Sequence, residues 1–401
     1  MDRIIKAIIP ALFIHVSIGT VYCWSTFSEQ ITEQLGLEIT QTNWAFSIAI
    51  FFLGMSAAFM GKTVEMNIKR SALISCCFFS VGFIGTGVLP LLHIQNNTIN
   101  LLLLYLFYGA IMGVGLGVGY LTPVKNLMLW FPKNKGLATG ISIMGFGLAK
   151  AIGSPIMNWL LTKTTISNMF FILGGIYLTL IFIAFLVIRK PYGWFERPSN
   201  EKHIIKNKPL FVSIWIIFYI NITCGLALIS YEKIILEYIG IGLVGISIIQ
   251  AITAVSNAVG RIGSATISDY CKDRKSIYIV IFLVCAAITD VCFLIYFIPI
   301  IVIAMLIIIN FGYGGGFSTL PALLESRFGM KNISQIHGLA LSAWAFAGLT
   351  GNQITSLSLT LTGNYRLMIF IISILYTIGL IITINLNRIK TYGERKESHY
   401  E

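Results

Sequence analysis

The stretch GVGLGVGYLTPVKNLMLWFPKNKGLATG, Gly113 to Gly140, decides how the whole chain is read. It runs as an apolar, glycine-striped segment to Trp130-Phe131-Pro132, turns through Lys133 and Lys135, and restarts at Gly136 as a second apolar segment. An α-helix needs about 20 apolar residues to cross a bilayer, so two membrane helices joined by a short basic turn are expected here. Gly113, Gly115, Gly117 and Gly119 leave two faces of the first helix without side chains. Such a surface serves either close helix packing or space for a solute, with Tyr120 at its end.

Outward from this stretch the pattern repeats. The 401 residues are 56% hydrophobic and only 11% charged, against roughly 25% charged in soluble domains, which excludes a soluble globular protein. Apolar runs predict twelve spans beginning near Ala7, Trp44, Ala72, Leu101, Leu137, Met169, Leu210, Gly242, Ile277, Ile300, Gly338 and Leu367. Continuous runs of this kind exclude an outer-membrane barrel, whose strands alternate in polarity. The first run has no convincing cleavage site and reads as a span rather than a removable signal.

The net charge of +12 is a matter of placement. With the amino terminus inside, most of the 28 Lys and Arg fall in inner segments, so both termini are expected to be cytoplasmic and no nucleic-acid partner is needed. Seven cysteines, mostly within spans and without metal-ligand spacing, predict no structural disulfide, no metal site and no cofactor. The partners expected are the lipid bilayer and a small solute, with a single chain sufficing for function. A bacterial inner membrane and a eukaryotic plasma or organelle membrane both fit.

Between Arg189 and Lys208 the text turns polar, RKPYGWFERPSNEKHIIKNK. This divides the chain into residues 1–188 as a first six-helix bundle, 189–208 as a cytoplasmic linker, 209–388 as a second bundle and 389–401 as a cytoplasmic tail. The halves echo each other. GKTVEMNIKRS (61–71) after the second span and ISDYCKDRKS (267–276) after the eighth both place a carboxylate, Glu65 or Asp269, before a basic pair, Lys69-Arg70 or Arg274-Lys275. GVGYLTP and GGGFSTLP close the fourth and tenth spans at Pro123 and Pro321.

The two inner loops resemble the G-x-x-x-D-R-x-G-R-R loop of the major facilitator superfamily, the first departing from it at Glu65 and Met66. The resemblance covers the whole chain and implies an all-α membrane protein of twelve helices in two pseudo-symmetric six-helix bundles. It also implies a conformational latch made of Gly61, Glu65, Arg70, Asp269 and Arg274, although these basic residues serve equally as topology determinants. YLTPVKNLMLWFPKNKGLATG, YCWSTF (22–27), GRIGSATISD (260–269) and LPALLESRFG (320–329) are similar to four segments of the oxalate/formate antiporter family.

Charge inside a span costs at least about 2.5 to 3.5 kcal/mol on insertion scales, so three residues are functional candidates. Arg261 lies eight residues before Asp269, roughly 12 Å inside the inner end of the eighth span. Its planar fork suits a carboxylate, and the matching arginine of the resembled family binds the substrate carboxylate. Lys150 in the fifth span would supply a second cation from the other half. Asp290 in the ninth would compensate charge by pairing with Arg261 or Lys150, or by facing a water-filled cavity. The family's oxalate carriers place a second cation, a lysine, in the eleventh span. The matching residue here is Trp344, which favours a monocarboxylate.

The resemblance further implies Tyr22, Tyr120, Tyr313, Phe317 and Trp344 as a cavity lining, although any one of them alone fits ordinary packing. His15 reads either as a proton relay or as a neutral histidine bonded to a neighbouring helix. Asn257 stands where the related monocarboxylate transporters carry a carboxylate used in proton coupling, so anion exchange or another coupling is expected instead.

No GxxxxGK[ST], H-E-x-x-H or GxSxG motif occurs, and the short inner loops leave no room for a catalytic domain, so no enzyme is expected. The expectation is a secondary transporter of small organic anions. A carrier of a sugar or drug is the rival within the superfamily, and a solute receptor that moves nothing is the rival from another class. A buried fixed cation speaks against a sugar.

Overall fold

The structure is a computed structural model that describes residues 2–193, 205, 207–296 and 298–388. The expected tail, 389–401, and most of the expected linker lie outside the described residues. Twelve long helices follow one another: α1 Ile4–Gln34, α2 Ile39–Met66, α3 Ile68–Leu92, α4 Asn97–Trp130, α5 Lys135–Lys163 and α6 Ile166–Val187, then α7 Lys208–Ile229, α8 Leu243–Tyr270, α9 Lys275–Leu294, α10 Pro299–Phe328, α11 Ile333–Thr362 and α12 Arg366–Asn385. A short helix, Glu232–Tyr238, joins α7 to α8. All twelve expected starts fall within a few residues of these helices.

The helix starts are set locally. Side chains of Asn67, Asn96, Thr165 and Asn207 accept from backbone N–H groups of the first turns of α3, α4, α6 and α7. Eleven of the twelve helices are apolar enough by composition to cross a membrane; α11 is the exception. Its Ser, Thr, Gln and Asn lower its hydropathy, but it packs between α2 and α7 and needs no wholly apolar surface. Hydroxyls such as Thr360 and Thr362 donate back to carbonyls one turn earlier, at 2.9 and 2.7 Å.

The glycine stripe of α4 is a packing device. Gly113 and Gly117 face Ala49, Phe52 and Leu53 of α2, while Gly115 and Gly119 face Phe79 and Ser75 of α3. A Cβ at Gly115 would lie 2.3 Å from the Phe79 backbone nitrogen, so no solute fits there. Gly115→Val is expected to destabilise the folded protein by about 1–3 kcal/mol or more through overpacking, read as a lowered melting temperature in detergent.

Two seams join the halves, α2 against α11 and α5 against α8, with α5 also touching α10. Both are tight at the end of the bundle where α6 stops and α7 begins, called here the linker face. A Cβ at Gly136 would sit 2.1 Å from the Ala265 carbonyl oxygen, and one at Gly338 2.2 Å from that of Ala57. At the opposite face the halves diverge around a vestibule of about 230 Å³ lined by Tyr22, Trp24, Ser28, Lys150, Ile229 and Asn352, among others.

Candidate functional site

The vestibule narrows between the halves onto two tyrosines. Tyr22 of α1 and Tyr313 of α10 share a hydrogen bond of 2.8 Å between their hydroxyls. Each half supplies one, so the pair spans the path. Gly225 of α7 makes room for the Tyr313 ring, whose Cδ2 lies where a Cβ would be, at 2.2 Å.

Arg261 of α8 is completely buried next to this pair. Its Nε donates to Asn257 Oδ1 at 2.7 Å, one turn earlier on the same helix, and Nη1 donates to the Ile143 carbonyl of α5 at 3.2 Å. Phe146 of α5 and Phe317 of α10 flank the guanidinium, with ring centroids 5.7 and 5.2 Å from Cζ. Cation–π contacts of this kind are worth about 0.5–2 kcal/mol each. That offsets only part of the several kcal/mol needed to hold a charge out of water. Gly147 leaves the space its stem fills, since a Cβ there would meet Nε at 3.0 Å.

Around the cation stands an aromatic box. Trp344 of α11 packs on Phe317 at 4.4 Å, on Phe146 at 5.7 Å and on Tyr120 of α4 at 5.4 Å between centroids. Three of its donors have no hydrogen-bond partner among the described residues: Arg261 Nη2, Tyr120 OH and Trp344 Nε1. No carboxylate of the described residues lies in salt-bridge reach of Arg261. A buried polar group without a partner is costly, so a set of donors around a fixed cation is suited to an acceptor with negative charge.

The structure therefore brings Arg261, Asn257, Tyr22, Tyr120, Tyr313, Phe317 and Trp344 to one place. His15 of α1 borders it, its ring 5.4 Å from that of Tyr120. Its Nδ1 lies 2.6 Å from the Ser142 carbonyl oxygen of α5 and its Nε2 3.3 Å from that of Tyr120 of α4, and whichever nitrogen carries the proton donates to its carbonyl. Lys150 lies higher, at the base of the vestibule, 3.7 Å from Glu232. Asp290 does not join them. It is exposed one turn from the end of α9 and accepts from Ser373 Oγ of α12, so it pairs with neither Arg261 nor Lys150.

Phe146, Glu232 and His337 escaped the sequence reading. Phe146 is one aromatic among 13% of the chain. Glu232 stands just beyond the apolar run of α7, where a charge looks like an ordinary loop residue. His337 of α11 is buried with its Nε2 lacking a hydrogen-bond partner among the described residues, its ring 6.1 Å from that of Tyr120.

The linker face is held by two carboxylates that cross between the halves. Asp269, at the end of α8, accepts from the backbone nitrogens of Gly136 and Leu137, both at 2.9 Å, at the start of α5. Arg274 donates to Asp269 at 2.8 Å. Glu65, at the end of α2, accepts from the Ser334 backbone nitrogen at 2.9 Å, at the start of α11. The basic partner of Glu65 is Lys125, buried in α4, rather than Arg70, whose side chain is exposed while its backbone bonds Asn67. Gly61 lets the start of α11 approach, with Ser334 O 2.7 Å from the position of a Cβ. Lys135 and Glu325 add a further ion pair across the halves at 2.5 Å.

Comparison with known proteins agrees with this architecture. An uncharacterised MFS-type transporter of Escherichia coli K12, YhjX, is 26% identical over 83% of this chain and 82% of its own. The oxalate:formate antiporter of Oxalobacter formigenes is 23% identical over 88% of this chain and 84% of its own. The crystal structure of a bacterial homologue of the iron transporter ferroportin in its outward-facing state superposes with a TM-score of 0.78. It covers 96% of this chain and 99% of its own at 10% identity, and so bears on the fold alone. The family model of the Major Facilitator Superfamily matches residues 11–352, and with twelve helices in two related halves around a central cavity, the chain belongs to that superfamily of membrane transporters, not to an enzyme family.

Proposed function

We propose that the chain is a secondary carrier of small organic anions, monocarboxylates foremost, working by alternating access. The observation that carries this reading is Arg261: fully buried between the halves, flanked by Phe146 and Phe317, and without a carboxylate partner among the described residues. A carboxylate would take Nη2 together with the donors Tyr120 OH and Trp344 Nε1, while the rings enclose its apolar side. With the linker face cytoplasmic, the closed seams at Gly136 and Gly338 and the vestibule opposite correspond to a site reached from outside.

An occupied site is cheaper to occlude than an empty one, because closure around an unpaired guanidinium carries its desolvation penalty. That asymmetry favours exchange of one anion for another. The relationship to the oxalate:formate antiporter is compatible with this, at 23% identity.

The test is uptake of labelled formate, acetate, lactate, pyruvate and oxalate into proteoliposomes, either empty or preloaded with the same anion. Uptake of a monocarboxylate stimulated by preloading is the expected result. No flux of any carboxylate by folded protein would overturn the reading in favour of another solute or a receptor.

A further inference from the structure

Two cations lie in sequence from the vestibule toward the centre, Lys150 at the cavity wall and Arg261 buried beyond it, and they differ in electrostatic state. Arg261 has no carboxylate in ion-pair reach among the described residues, whereas Lys150 faces Glu232 at 3.7 Å. Glu232 opens the short helix Glu232–Tyr238, is only 2% exposed, and accepts a second contact from the Thr253 hydroxyl of α8. Lys150 comes from one half and Glu232 from the other. Both line the small cavity that also touches Tyr22, Tyr313 and Asn257. The charged groups further out, Lys233 between Glu29 at 3.7 Å and Glu237 at 3.9 Å, are solvated and screened.

We propose that Glu232 sets the charge of the substrate: by neutralising Lys150 it leaves one uncompensated cation, so the site accepts singly charged carboxylates and rejects doubly charged ones. The inference rests on the anion-carrier reading above and narrows its substrate class. A dianion bound at Arg261 would need a second cation within its own length. Lys150, one turn along α5 from the Gly147 position against which the Arg261 stem packs, is the next cation toward the vestibule, and Glu232 already faces it. A second carboxylate would therefore be buried without a partner and against the Glu232 charge, which is rejection by repulsion as well as by missing attraction. The 3.7 Å separation is longer than the about 2.7–2.9 Å of a close charge-assisted hydrogen bond, so the ammonium is neutralised without being locked in place.

The experiment compares initial uptake of formate and acetate with that of oxalate and malonate, at one pH and ionic strength, in proteoliposomes of purified protein. Glu232→Gln keeps an acceptor for Thr253 and frees Lys150. It is expected to raise the dianion-to-monoanion ratio at least about ten-fold. The double variant Lys150→Met with Glu232→Gln is expected to return the ratio to that of the native protein.

Should Glu232→Gln fail to fold, Lys150→Met alone tests the same point. It leaves Glu232 unopposed beside the path, and monoanion uptake is expected to fall at least about ten-fold. A purely structural ion pair would lower both rates together and leave the ratio where it was. A Glu232→Gln ratio equal to the native one overturns the proposal, as does native monoanion uptake by Lys150→Met. Absence of any carboxylate uptake by the native protein overturns the anion-carrier reading itself, and this inference with it.

Discussion

Arg261→Gln is expected to lower carboxylate uptake at least about 100-fold without unfolding the protein. Truncating one partner of a buried, hydrogen-bonded charge pair costs about 2–5 kcal/mol, and each 1.4 kcal/mol is a factor of ten. In the substrate-free protein the same change works in the opposite sense. The guanidinium there has hydrogen bonds to Asn257 and Ile143 and two flanking rings but no counter-charge among the described residues, so replacing it by a neutral amide removes a desolvation penalty. The signature is therefore a melting temperature that is unchanged or raised, combined with lost transport. Arg261→Lys separates charge from shape: a lysine keeps the charge but cannot hold a carboxylate by two parallel bonds, and an intermediate loss is expected. A variant of either kind that transports at the native rate would remove Arg261 from the site.

Arg261 was legible in the sequence because a full charge inside an apolar run has few explanations. The spans were legible for the same reason, since lipid imposes length and apolarity on whatever it touches. α11 shows the limit of that signal: Ser334, His337, Thr355 and Ser358 are buried against the rest of the bundle, while the exposed Thr360 and Thr362 bond back to their own helix. Glu232 shows a second limit. A carboxylate three positions past the end of α7 looks solvated, and only the return of the short helix over the path makes it buried. Asp290 presents the converse, a charge that reads as internal because the run around it is apolar. One turn from the helix end, a single hydroxyl from Ser373 and the membrane surface are enough to accommodate it. Lys125 was obscured by its neighbours, the basic turn that sets topology, although it lies inside α4 and meets Glu65 there.

The second large effect is expected at the linker face. Asp269 and Glu65 occupy equivalent helix ends of the two halves, α8 and α2, and each reaches across to the first turn of a helix in the other half, α5 or α11. A carboxylate at a helix start meets unpaired N–H groups and the positive end of the macrodipole, so its charge contributes beyond hydrogen bonding. Asp269→Asn removes that charge and leaves Arg274 with the Ser268 hydroxyl but without its carboxylate partner. Hydrogen bonds to charged groups are worth about 1.5–3 kcal/mol, so the ratio of closed to open linker face is expected to fall about ten- to a hundred-fold. Glu65→Gln should act in the same direction, since it removes the charge at the start of α11 and the ion pair to Lys125. Both carboxylates bias one rigid-body equilibrium, so their free energies should add although the residues never touch. Spin labels at the exposed Lys133 and Lys272, one on each half, would report the distance across the face: a single short distance in the native protein, a second longer one in each variant, and mainly the longer one when both are changed. An unchanged distance distribution in the double variant would mean that the seams at Gly136 and Gly338 hold the face closed by packing alone, and that the crossing carboxylates do not control access.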